Sequence, residues 1–390
     1  MMFKFPRSVS RLSLGAAAST WLCRGRWLPL GLALSAPQLL RAENHVDYRY
    51  GFYDEDGHRM KIETHSVYFE QQLVDAIVAK GELVYDGISG ATPTGTYRIS
   101  PMSGKIKTVQ LHDIRRAGDW DVDLRLGNQT ITPGFAYSKE SDYLSYGLSL
   151  NDAIEFNEKN TTLLLGVSHN FDEVQRNNNP FPDARDKDGT ESIIGVSQLL
   201  TPKTVWAANF TMGYESGYLS DPYRQAEFVY PLHTLGVVRY ENRPGHRAKE
   251  VFLTSLTQFI SPLNASVEGS YRFYHDSFGV YAHTAGLTWH QWVGKHLIIE
   301  PMFRFYEQSA ATFYAPLFHS NPANVLYYSA DYRLSRFYSL DYGVQATVVV
   351  NSHVRLNAGY HRYEMNGLDN TNPAMYPQAN IYSGGISILW

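Results

Sequence analysis

Apolar and polar residues alternate along most of this chain with a period of two, which places one class on each face of a β-strand. Val122, Leu124 and Leu126 alternate with Asp121, Asp123 and Arg125. Trp206, Ala208, Phe210, Met212 and Tyr214 alternate with a smaller, more polar set that includes Asn209 and Thr211. Val267, Gly269, Tyr271 and Phe273 oppose Glu268, Ser270 and Arg272, while Leu297, Ile299, Phe303 and Phe305 oppose Glu300 and Arg304. Val354, Leu356, Ala358 and Tyr360 oppose Arg355, Asn357 and His361. The pattern predicts an all-β chain of about 16 strands. They run near 46–54, 59–70, 73–86, 117–127, 129–138, 143–156, 160–171, 189–200, 203–217, 246–260, 264–275, 278–293, 295–309, 333–350, 353–366 and 379–390.

In water such half-apolar strands make a sandwich, and in lipid they make a barrel wall. The connections decide between the two. Alternate ones are tight, at Gln71-Gln72, Gly127-Asn128, Glu158-Lys159, Thr201-Pro202, Ser261-Pro262, Gly294 and Asn351-Ser352. Those between them are often long, at 87–116, 172–188, 218–245, 310–332 and 367–378. Tight turns on one side and long loops on the other are the asymmetry of an antiparallel transmembrane β-barrel of the bacterial outer membrane, and a soluble sandwich has no reason to sort them. The chain end agrees, because Trp390, Ile388, Ile386, Gly384 and Tyr382 form an outward stripe that closes on an aromatic residue. That stripe resembles the terminal signal read by the outer-membrane barrel assembly machinery.

Composition sharpens this picture. Residues 1–42 read as a signal peptide: Lys4, Arg7, Arg11, Arg24 and Arg26 precede an apolar run from Trp27 to Leu40, and cleavage is expected before Glu43, leaving 43–390 as the barrel domain. Export removes six basic residues and takes the formal net charge from -4 to about -10, which disfavours nucleic acid as a partner. The only cysteine leaves with the leader, so the mature chain has neither a disulfide nor a thiolate metal site. No apolar run reaches the length of a membrane-spanning helix. The 28 tyrosines supply instead the aromatic girdles that a barrel needs at the two faces of the outer-membrane lipid bilayer.

Candidate chemistry is sparse. No serine hydrolase motif, nucleotide-binding loop or convincing metal-ligand spacing occurs, so no catalytic or metal residue is assigned and an enzyme reading has no support. Glu268 with Arg272, and Glu300 with Arg304, lie four apart on lumenal faces, either as a solute-selecting ladder or as mutual neutralisation. One motif stands apart. Asp86, Ser89, Gly90, Ala91 and Thr92 spell Asp-x-x-Ser-Gly-Ala-Thr at the end of an apolar strand, entering what reads as a mobile loop. The sequence is similar to the acceptor motif to which a flavin transferase attaches FMN through a threonine phosphoester, with Thr92 as the acceptor, small Gly90 and Ala91 beside it, Asp86 nearby and Tyr85 as a stacking surface. The alternative is ordinary turn chemistry, since Gly, Ser, Thr and Pro are common after strands.

Nearly the whole mature chain resembles a family of bacterial outer-membrane barrels of unknown function that carry Asp-x-Ile-Ser-Gly-Ala-Thr-Pro after an early strand, here Asp86 to Pro93. Tyr48-Arg49-Tyr50, Tyr137 to Tyr143, Asp221-Pro222-Tyr223, Tyr271 to Tyr274 and Ser329 to Ser335 carry the likeness further. The resemblance implies a Gram-negative outer-membrane location, covalent FMN, and a FAD:protein FMN transferase and periplasmic redox proteins as partners. Two functions stay open: a flavinylated barrel in extracytoplasmic electron transfer, and a non-redox pore or interaction barrel.

Overall fold

The computed structural model describes residues 44–96, 106–175, 184–230 and 233–390. The expected signal peptide lies outside the described residues. β1 (His45–Glu55), β2 (Met60–Val74), β3 (Ile77–Pro93), β4 (Thr108–Leu126), β5 (Gln129–Lys139), β6 (Tyr143–Phe156), β7 (Thr161–Val174), β8 (Arg185–Thr201) and β9 (Thr204–Gly217) pair in sequence order. β10 (Gln225–Tyr230) and β11 (His233–Tyr240) form a hairpin apart from the wall. β12 (His246–Ile260), β13 (Ala265–Asp276), β14 (Tyr281–Val293), β15 (Leu297–Gln308), β16 (Phe337–Val349), β17 (Val354–Gly367) and β18 (Gln378–Leu389) complete the wall. β18 closes on β1 from His45↔Leu389 to Glu55↔Ala379, giving a closed antiparallel barrel of 16 strands.

The alternation has the expected sense. Trp120, Val122, Leu126, Phe210, Met212, Tyr271, Phe303, Leu356, Tyr382 and Ile388 are exposed on the outer wall, and the polar residues between them face inward. Tyr146, Tyr214, Tyr271, Tyr342 and Tyr382 lie on that wall toward the long-loop ends of their strands. Several tyrosine hydroxyls there meet a histidine of the next strand, as in Tyr271 to His283 Nδ1 at 2.7 Å and Tyr214 to His246 Nδ1 at 3.0 Å. Closure removes every sheet edge from the wall, so an apolar exterior costs no unpaired backbone in lipid. The chain is a closed β-barrel with the apolar outer wall of a membrane-spanning one.

Three expectations change. The first reversal falls at Asp75 and Ala76 rather than at Gln71-Gln72, because β2 carries an irregularity between Gln72 and Val74 that keeps Leu73 and Val74 in the strand. The span 87–116 is mostly not a loop: β3 and β4 stay paired from Asp86↔Arg115 out to Pro93↔Thr108. Roughly 9–11 tilted residues cross the hydrocarbon, so the 17 residues of β3 run well past it, and outside lipid a strand has no need of an apolar outer face. Turn-like composition therefore misled. The third change is the pairing of Glu268 with Arg272 and of Glu300 with Arg304. Four strand residues span about 13 Å, and neither pair makes an ion pair; Glu300 Oε1 meets His290 Nδ1 at 2.5 Å instead.

The long connections fold over their own end of the barrel. Tyr53, Met60, Phe337, Tyr363, Met365 and Ile381 from inner wall positions pack with Tyr332, Met375 and Tyr376 from the loops. Phe228 of β10 stacks on Phe318 at 4.9 Å and meets Tyr328 edge-on.

Candidate functional site

β3 presents its side chains in strict alternation, and this splits the acceptor-like motif. Leu83 and Tyr85 are exposed outside, with Ser89 and Ala91 on the same outer side, whereas Asp86 and Thr92 point inward. Tyr85 therefore lies on the face opposite Thr92 and near His65, where it cannot stack on anything attached to Thr92. Asp86 lies six residues before Thr92, about 20 Å along the strand. Its carboxylate is committed locally: Arg115 Nε donates to Oδ2 at 2.5 Å, and Thr64 Oγ1 donates to Oδ1 at 2.6 Å. Asp86 thus buttresses the wall and is not a neighbour of the threonine. Gly90 is fixed by close approach, since with φ 139° its missing Cβ would fall 2.3 Å from the Arg59 carbonyl oxygen.

The structure joins Thr92 to a residue that sequence reading did not single out. Thr92 is 3% exposed, and Arg224 Nη2 donates to its Oγ1 at 3.0 Å. Arg224, 1% exposed, comes from the stretch between β9 and β10. Its Nε lies 3.6 Å from Asp221 and 3.7 Å from Asp331, beyond hydrogen-bond range, and its Nη1 has no hydrogen-bond partner among the described residues. The guanidinium sits 5.6 Å from the Tyr332 ring centroid. The backbone locks the same contact: Gln225 N donates to the Thr94 carbonyl at 2.7 Å. At Gly95, φ 97°, a Cβ would fall 2.7 Å from the Gln225 carbonyl and 2.9 Å from that of Ala330, so only glycine allows the three segments to meet.

Around Arg224 runs a buried charge network. Arg333 Nη2 meets Asp221 at 2.9 Å, Arg243 Nη2 meets Asp331 at 2.7 Å, and Arg243 Nε meets Glu241 at 2.7 Å. Ser329 Oγ donates to Glu241 at 2.5 Å. Burial pushes the Asp331 carboxyl up, but Arg333, Arg224 and Arg243 outweigh it and hold it well below the ordinary value. Burial wins at Glu241, whose carboxyl is raised despite Arg243, with Asp331 and Asp221 adding to the effect. The Tyr332 phenol, wholly enclosed, is pushed up to about 12, chiefly by burial. The clamp binds the 218–245 and 309–336 segments to each other, and Arg224 ties both to the end of β3.

Three stretches that carry the family resemblance converge here: Asp86 to Pro93, Asp221 to Tyr223 and Ser329 to Ser335. A fourth touches them, since the Tyr223 hydroxyl donates to Asp142. The signal for Arg224 was its place directly after Asp221-Pro222-Tyr223. Carboxylates of Asp113, Glu140 and Asp142 also converge at this end with ligand atoms within 4.8 Å of one another, but Asp142 accepts from Tyr223 and Asp113 from Ser141.

Solved structures align with the chain at very low identity. The siderophore receptor PirA from Pseudomonas aeruginosa aligns at 9% identity and a TM-score of 0.44 over 90% of this chain and 62% of its own. A bacterial polysaccharide outer membrane secretin aligns at 10% and 0.47 over 90% and 99%. CdiB from Acinetobacter baumannii aligns at 8% and 0.49 over 90% and 61%. The chain thus spans about three fifths of the length of the first and third. No curated protein matches it in sequence. A family model does match residues 31–389, nearly the whole chain, and this β-barrel therefore belongs to the family described as Protein of unknown function (DUF3570).

Proposed function

We propose that this barrel carries FMN through a phosphoester on Thr92 and serves extracytoplasmic electron transfer. The observation that carries the reading is Arg224: a buried guanidinium aimed at the Thr92 hydroxyl, with Nη1 left without a hydrogen-bond partner. A phosphoester at that hydroxyl adds one negative charge and two free phosphoryl oxygens, which suit a guanidinium with donors to spare. The chain's own residues thus fit the phosphate. Bound FMN would supply reversible one- and two-electron chemistry. Asp221 and Asp331 flank the Arg224 guanidinium and orient it, and the folded-in segments exclude water from the ester.

Burial of Thr92 sets the order of events. In the folded barrel the hydroxyl is covered, so the transferase acts on the exported chain before closure, when Gly87 and Gly90 leave the segment flexible. It joins Thr92 Oγ1 to the FMN phosphorus of FAD and breaks the pyrophosphate, releasing AMP and a proton. A single flavin cannot cross a hydrocarbon layer of about 30 Å, so periplasmic redox proteins or other carriers must complete the path. Co-expression with an active FAD:protein FMN transferase should give absorbance at about 450 nm and a fluorescent band that survives denaturation. Thr92→Ala should abolish both without disturbing assembly. A barrel that stays colourless beside an active transferase, or stays labelled after Thr92→Ala, returns the second reading, a non-redox pore or interaction barrel. That reading draws on the same burial, with Arg224 simply satisfying a structural threonine.

A further inference from the structure

Among the described residues, several lumenal cations toward the long-loop end of the wall are matched. Lys187 meets Asp172 at 3.6 Å and Glu215 at 3.4 Å, Lys249 meets Glu215 at 2.9 Å, and Arg247 meets Asp276 at 2.5 Å. Arg272 of β13 and Arg304 of β15 are not. Both point inward, and neither has a hydrogen bond or a carboxylate in ion-pair range among the described residues; each guanidinium only leans over the next inward tyrosine, Arg272 on Tyr274 at 5.3 Å and Arg304 on Tyr306 at 5.8 Å. β14 lies between them. Arg272 pairs across with Thr284 and Arg304 with Gly286, so the two arginines are two strands apart and two residues offset, about 12 Å between Cα atoms. Thr284 faces inward with its hydroxyl buried and unpartnered, and at Gly286 a Cβ would fall 2.6 Å from Ser270 Oγ, so that hydroxyl also borders the patch.

We propose that this patch, Arg272, Thr284 and Arg304, binds a small multivalent oxyanion of the phosphate type within the lumen. The two guanidinium groups repel each other, and an oxyanion between them relieves that repulsion while accepting charge-assisted hydrogen bonds from both. The Thr284 hydroxyl then gains the acceptor it lacks. Asp341, directly across from Arg304 and 3.4 Å from His361, and Glu191 on β8, which acts on Arg272, are carboxylates that face the patch; they oppose an anion, so binding requires both guanidinium groups together. The proposal is independent of any group on Thr92.

Calorimetric titration of the full-length, detergent-solubilised barrel with inorganic phosphate, at ionic strength held constant with chloride, tests it. Saturable binding is expected, weakened by about tenfold or more in both Arg272→Gln and Arg304→Gln. It should be unchanged in Arg125→Gln, an inward arginine near the tight turns. Heat-modifiable migration checks that each variant has closed. The proposal is overturned by an absence of saturable binding to wild type, by equal binding in both arginine variants, or by an equal loss in Arg125→Gln, which would mean diffuse lumenal attraction or an adventitious ion only.

Discussion

Removing the Asp331 carboxylate should release the segments that close the long-loop end while leaving the wall assembled. Asp331 is 1% exposed and accepts from Arg333 Nε at 2.8 Å and from Arg243 Nη2 at 2.7 Å, with Arg224 Nε at 3.7 Å. Deleting one member of a buried ion pair strands the others and costs about 3–5 kcal/mol. None of these side chains contributes to the barrel ladder, so the cost falls on the clamp between 218–245 and 309–336. Proteolysis that follows the open population should then accelerate about a hundredfold or more in Asp331→Ala. Cleavage should map to those two segments, with heat-modifiable migration retained. The pH dependence follows from the two carboxyls. Asp331 is depressed, so its contribution is full above the unfolded value of about 4 and is lost only as pH falls through its lower folded value. Glu241 is raised, so its contribution is present below its unfolded value and is lost as pH rises through the folded one. Wild-type protease resistance should therefore persist down to about pH 4. Unchanged cleavage in Asp331→Ala, or collapse of the whole barrel, would refute the assignment of the clamp as a separate unit.

The wall makes its own predictions. Leu287 is exposed on the outer face of β14, and Thr288 beside it faces inward; Leu287→Arg should cost about 2–4 kcal/mol at mid-depth and reduce assembly, whereas Thr288→Arg should assemble normally, as read from heat-modifiable migration. Gly95→Ala should displace the Gln225 and Ala330 carbonyls, destabilise the clamp by about 1–3 kcal/mol, and raise protease sensitivity at the same segments as Asp331→Ala. N-terminal sequencing of the exported protein should begin near Glu43; a start well before residue 35 or after residue 50 would contradict the leader assignment.

Where lipid imposes a rule, the sequence was legible. Alternation at Val122 to Leu126, Trp206 to Tyr214 and Leu356 to Tyr360 identified the outward faces, because a residue on the hydrocarbon side has to be apolar and its neighbour does not. Beyond the bilayer the rule lapses. Asp86 to Pro93 continues as strand with glycine, serine and threonine, and only the β4 partners from Thr108 to Arg115 reveal it. The β10–β11 hairpin was hidden for the same reason, within a span that lacked a wall-like pattern. Thr92 was visible as a motif residue, but Arg224 is 132 positions away and its contact depends on how two loops fold together, which no local spacing encodes. Sequence proximity links Asp86 to the threonine, yet strand extension separates them and hands the carboxylate to Arg115.

The most direct test of the flavin reading is the intact mass of the purified barrel after co-expression with an active FAD:protein FMN transferase, followed by peptide mapping. The expected result is a mass increase equal to FMN less water, located on the peptide that contains Thr92 and absent from Thr92→Ala. An unmodified Thr92 peptide, obtained while the same transferase labels a control substrate, would contradict it.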